Sequence, residues 1–102
     1  MIRISITKND NFIEVIKVVG HSGYANEGSD IVCSSVTTAM YVSYGILKKA
    51  NCDFSLKEDS NIPLMELRIN KIDNVSKIVM DNLLDVLEGI AFDYKAYVQI
   101  IN

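Results

Sequence analysis

The chain of 102 residues has no apolar stretch long enough to cross a bilayer or to form the core of a signal peptide. Its opening, MIRISITKND, instead alternates apolar and polar residues. The expectation is a cytoplasmic protein that makes no membrane contact. Cysteine is scarce: Cys33 and Cys52 are the two in the chain, and without a secretory signal they are expected as reduced thiols. Lys and Arg number 10 against 13 Asp and Glu, and no basic cluster occurs, so the footprint of a nucleic-acid-binding surface is missing. A slightly acidic chain is compatible with a basic protein partner. One histidine, His21, and two well-separated cysteines form no zinc-binding pattern, and no metal or other cofactor is expected. No repeat, low-complexity tract or Gly/Ser linker divides the sequence.

What is present fits a single domain over residues 1–102, because 49% hydrophobic residues suffice for one core in a chain of this size. Ile2, Ile4 and Ile6 alternate with polar residues, Asn9-Asp10-Asn11 reads as a turn, and Phe12 to Val19 is rich in β-branched residues, so two strands are expected to pair as a hairpin closed by Gly20. A helix capped by Ser29 or Asp30 runs to about Lys49, with Ile31, Val32, Val36, Met40, Tyr44 and Leu47 as its apolar stripe and Lys48 and Lys49 suited to its C-terminal dipole. Cys52 to Lys57 and Leu64 to Ile69 alternate as a second strand pair around the loop at Ser60 to Pro63. Asp73 caps a second helix carrying Val75, Ile78, Val79, Leu83, Val86, Leu87 and Ile90, with Gly89 near its end. Tyr94, Ala96, Val98 and Ile100 give a final strand. The resulting order is ββαββαβ, an α+β fold with a mainly antiparallel sheet packed against two helices.

Between the second strand and the first helix lies GHSGYANEGSD, whose Gly20, Gly23, Gly28 and small polar residues suit a flexible loop. Cys33 then falls in the first helical turn, where unpaired backbone N–H groups and the macrodipole favour a thiolate and could also hold an oxyanion. His21 sits where the loop can bring it to Cys33, to take the thiol proton and return it to a leaving amine. Peptide or amide cleavage is the matching reaction class. The plainer alternative is a solvated loop histidine and a buried helix cysteine. Asp30 can cap the helix or orient His21, the cap being the default meaning of an Asp there. Thr37 lies one turn beyond Cys33 on the same face, where its hydroxyl supports the site or bonds a backbone carbonyl. Tyr24 either meets substrate or acts as a lid anchored by its ring. Tyr41 and Tyr44 read as core or interface residues, and Cys52 as core. A P-loop is excluded because no G-K-[ST] follows the glycines, and a cysteine phosphatase because CSSVTTAM lacks the arginine that clamps phosphoryl oxygens.

The run GHSGYANEGSDIVCSSVT resembles the signature of the ribosomal-processing cysteine protease family, in which a Gly-His pair, a glycine loop and Asp-Ile-Val-Cys occur together. Length and element order extend the resemblance over nearly the whole chain. It implies His21 and Cys33 as catalytic residues and Asp30 as the family's aspartate, with Asp30, Thr37, Tyr24, Gly23 and Gly28 in supporting or substrate-binding roles. It also implies a homodimer, a loop over Gly20 to Gly28 that moves to admit a peptide, and removal of a short N-terminal extension from a large-subunit bacterial ribosomal protein. Ser22 and Ser34 stand where the family often has small residues such as alanine, and Thr37 stands at a serine position. A competing reading is a non-enzymatic ribosome-associated module with the loop as a binding surface. An anion-binding or phosphoryl-transfer protein built on the helix N-terminus is the remaining alternative.

Overall fold

A computed structural model describes residues 1–26 and 29–101. Strands β1 (Ile2–Asn9) and β2 (Phe12–Val19) form the first hairpin, with Asn9 opposite Phe12 and Asp10 at φ 56° turning the chain. Helix α1 (Ile31–Lys49) follows the glycine loop. Strands β3 (Asp53–Asp59) and β4 (Leu64–Lys71) form a second hairpin, and helix α2 (Asn74–Asp93) leads to the short β5 (Val98–Ile101). The order ββαββαβ and the α+β class are those expected from sequence periodicity.

The sheet runs β3-β4-β2-β1-β5, with three antiparallel pairings and one parallel pairing, β1 with β5. Its register lines up the apolar positions. Ile100, Ile4, Val18 and Met65 form one cross-strand row that ends at Glu58, and Ile6, Ile16, Leu67 and Leu56 form the next. Both helices pack on the sheet and against each other. From α1 come Val32, Val36, Met40 and Leu47, and from α2 Val79, Met80, Leu83 and Leu87, all buried in one cluster with the strand isoleucines. Each fully buried Leu or Ile of this kind contributes about 1.5–3 kcal/mol by its removal from water, which makes the interlayer cluster the main source of cohesion.

Both helix starts are set by aspartate. Asp73 accepts from the Ser76 amide at 2.7 Å, while the Ser76 hydroxyl accepts from the Asp73 amide at 3.0 Å, a reciprocal capping box. Asp30 caps α1.

Three local expectations change. Ile31, expected on the buried stripe of α1, is 51% exposed and lines a cavity with the loop residues His21, Gly23 and Ala25. The final strand begins at Val98, since the Tyr97 and Val98 amides both donate to the Tyr94 carbonyl and hold Tyr94 to Tyr97 in a turn at the end of α2. Cys52 precedes β3 and is partly buried, its thiol 3.7 Å from an Asp73 carboxylate oxygen. Burial, then the negative charge of Asp73, pushes the Cys52 thiol pKa up. Among the described residues no helix is long and apolar enough to cross a membrane.

Candidate active site

The strand β2 delivers His21 through a backbone conformation that only glycine takes easily. Gly20 has φ +99°, and a Cβ built there would lie 2.7 Å from the Met1 carbonyl oxygen. Its amide donates to the Pro63 carbonyl at 2.8 Å, so the end of β2 is pinned between the chain start and the β3–β4 connection. We expect Gly20→Ala to cost about 1–3 kcal/mol, measured by urea unfolding, because it meets both the left-handed strain and a backbone clash that no rotamer relieves.

Beyond Gly20 the chain is organised around the Asp30 carboxylate. Oδ1 accepts from the Cys33 amide at 2.9 Å and the Val32 amide at 3.0 Å, which caps α1. Oδ2 accepts from the Ser22 hydroxyl, from the Tyr24 amide at 3.2 Å and from the Ala25 amide at 3.4 Å. Partial removal from water pushes the Asp30 pKa up, but the Ser22, Cys33, Ala25 and Tyr24 hydrogen bonds outweigh it and hold the carboxyl below its ordinary value. Of its two expected roles, Asp30 performs the cap. Its oxygens face the loop and helix amides rather than His21.

This bonding corrects the expectation of free amides at the start of α1. The Val32 and Cys33 amides are taken by Asp30 Oδ1, and the Ser34 amide donates to the Asp30 carbonyl at 3.1 Å. The helix N-terminus already holds an anion, so neither a thiolate nor an oxyanion finds those groups unoccupied. Activation of Cys33 would therefore fall to a side chain.

His21 is exposed and Cys33 partly buried. Among the described residues no hydrogen bond joins them, yet both line two adjoining cavities. The first, about 270 Å³, lies between the N-terminal half of α1 and the end of the sheet. Cys33, Val36, Thr37 and Tyr41 form its helical wall, and Val18 and Met65 its floor. Thr37 thus shares a face and a cavity with Cys33, as its spacing predicted. The second cavity, about 580 Å³, continues under the loop, with Gly23 and Asp30 in its wall. Gly23 has φ +72°, a turn that suits glycine alone. Gly28 lies outside the described residues. The Tyr24 ring packs edge-on to Tyr94 at 5.7 Å and Tyr97 at 5.2 Å between centroids, which ties this part of the loop to the end of α2; Tyr24 is not among the residues lining either cavity.

Both cavities are thus lined by a cysteine and a histidine, and the first also by the apolar Val18, Val36 and Met65. The family model described as "Cysteine protease Prp" matches residues 1–99. The chain belongs to the Prp cysteine protease family. Its fold agrees with that of the essential ribosomal processing protease Prp from S. aureus in complex with a covalently linked product peptide, at TM-score 0.91 and 20% identity, covering 98% of this chain and 97% of that one. The same S. aureus protease with a substrate peptide gives TM-score 0.83 at 18% identity, over 99% and 98% of the two chains. A Streptococcus mutans protein gives 0.81 at 24% identity, over 98% and 91%. No curated protein sequence matches the chain.

Within this Prp-family chain, sequence reasoning missed the far wall of the first cavity. Glu58, Asp59, Ser60, Pro63 and Leu64 reach it through the β3–β4 hairpin, and Tyr41, read as core or interface, closes it by donating its hydroxyl to Glu58. That hydrogen bond, then burial, then the charge of Glu58 raises the Tyr41 pKa. The available signal was the breaker at Pro63, which marks a loop without saying where it folds.

Proposed function

We propose that this cysteine peptidase is an endopeptidase that uses His21 and Cys33 as a catalytic dyad and removes a short N-terminal extension from a large-subunit bacterial ribosomal protein. The observation that carries the reading is the shared lining: in a Prp-family chain, the single histidine and the Cys33 thiol open onto the same two adjoining cavities. His21 takes the Cys33 proton, and the sulfur attacks the scissile carbonyl carbon to form a tetrahedral intermediate. Collapse breaks the C–N bond, the amine leaves with the proton from His21, and a thioester remains. Water, deprotonated by His21, then attacks the thioester, releasing the carboxylate product and restoring the thiol. Asp30 holds the loop and the helix start, Gly23 supplies the loop's left-handed turn, Tyr24 anchors it, and Thr37 lines the cavity beside the nucleophile.

The S. aureus complexes with substrate and product peptides support a peptide as the bound species. Residues 1–102 act as one domain, working in the cytoplasm as a homodimer. Exposed apolar side chains on both helices, Val42 and Ile46 on α1 and Ile78 at 67% and Phe92 at 71% on α2, support the dimer. The test is incubation of the purified protein, under reducing conditions, with a ribosomal protein bearing its N-terminal extension, followed by intact mass. One Cys33-dependent truncation is expected. An uncut substrate would favour the binding-module reading instead.

A further inference from the structure

Ser22 is 3% exposed, although its neighbours His21 and Gly23 are both exposed. Its hydroxyl is used twice, donating to Asp30 Oδ2 and accepting from the Tyr24 amide at 3.2 Å. Asp30 Oδ1 in turn accepts the Cys33 amide at 2.9 Å. A single carboxylate therefore separates the residue next to His21 from the backbone of Cys33. The remaining donors to Asp30 among the described residues are backbone amides, which a change of side chain leaves in place. Among the described residues Ser22 supplies the one side-chain donor. It also follows His21 directly, so that its movement carries His21 with it, whereas Tyr24 and Ala25 lie further along the loop.

We propose that Ser22 is a positioning residue whose hydroxyl fixes the segment after β2 that bears His21 to the helix start that bears Cys33. This rests on the reading of His21 and Cys33 as a dyad. The hydroxyl acts through Asp30 and touches no reacting atom. With it removed, Asp30 still caps α1, but the His21 backbone is held to that cap only through the loop beyond Gly23. The separation of imidazole and thiol then widens in distribution, and proton transfer between them slows.

The test reads the thiol directly and needs no substrate: alkylation of Cys33 by iodoacetamide as a function of pH, followed by peptide mass spectrometry. Cys52 in the same sample is the reference, since it contacts Asp73 at the start of α2 and not the loop. Ser22→Ala is expected to alkylate at Cys33 about fivefold or more slowly at neutral pH, with its pH profile displaced toward that of His21→Ala and Cys52 unchanged. Ser22→Thr keeps a hydroxyl and is expected to stay within about twofold of the parent. A parental rate and profile in Ser22→Ala would overturn the proposal, and so would a change of equal size at Cys52, which marks general loosening. If the dyad reading itself is wrong, His21→Ala leaves Cys33 reactivity unaltered, and that result brings down both.

Discussion

The Cys33→Ala protein is expected to fold like its parent and to cleave nothing, with kcat down by at least about 10³-fold. Both halves follow from how Cys33 is held. The group that Asp30 grips is the Cys33 amide, which alanine retains, and the thiol is only partly buried, so its loss opens no sealed core cavity. The thermal midpoint should move by no more than about 2–4 °C. His21→Ala should behave alike, because the imidazole is exposed and Gly20 and Ser22 fix the backbone on either side of it. The two losses should not add: a nucleophile without its base and a base without its nucleophile fail at the same step, so the double variant should be about as slow as either single one. Single-turnover cleavage beside a thermal melt checks each part. A folded Cys33→Ala protein that still cuts would remove Cys33 from the chemistry.

The elements of this fold were readable where burial repeats with a backbone period, and not where a contact comes from elsewhere in the chain. Ile2, Ile4 and Ile6 alternate because one face of β1 meets the helices, and Val32, Val36, Met40 and Leu47 recur because one stripe of α1 meets the sheet. The alternation at Tyr94 and Ala96 mimicked a strand, yet these residues lie in a turn from which the Tyr94 and Tyr97 rings pack on Tyr24. Ile31 fits the helical period and is exposed, since the period says nothing about what stands opposite each turn. The site divides the same way. His21, Cys33 and Asp30 lie within one contiguous run and carry their chemistry in their identity. Glu58 and Met65 enter the cavity through strand register, a long-range property. That the first-turn amides of α1 are occupied was legible in the Asp30 cap expected from sequence, whereas the further donors that Asp30 gathers from the loop were not.

Asp30→Ala should be the most damaging change that leaves both proposed catalytic side chains intact. It removes at once the cap of α1 and the anchor of the loop, since five donors converge on one carboxylate. A fall of about 5–10 °C in the thermal midpoint is expected, together with at least about a tenfold loss of kcat as the imidazole and thiol lose their common reference. Asp30→Asn separates the two jobs. Its amide oxygen can still accept from Val32 and Cys33, but its NH2 would then face the Tyr24 and Ala25 amides, donor against donor, and the Ser22 hydroxyl would have to turn from donor to acceptor. The cap survives and the clasp is weakened, so Asn should recover much of the stability while kcat stays low. The pH dependence has a fixed sign. The folded-state pKa of Asp30 lies below its ordinary value of 3.8, so its stabilising effect is complete above that value and is lost as pH falls through the lower, folded-state value. Asp73 is also held low, chiefly by the Ser76 amide, and adds acid sensitivity of the same sign. The difference between parent and Asp30→Asn cancels that shared part. It should be constant near neutrality and shrink only below about pH 4, where the parent's carboxylate starts to take up its proton. A difference that stays constant into stronger acid would mean that the ionised carboxylate is not what holds the loop to the helix.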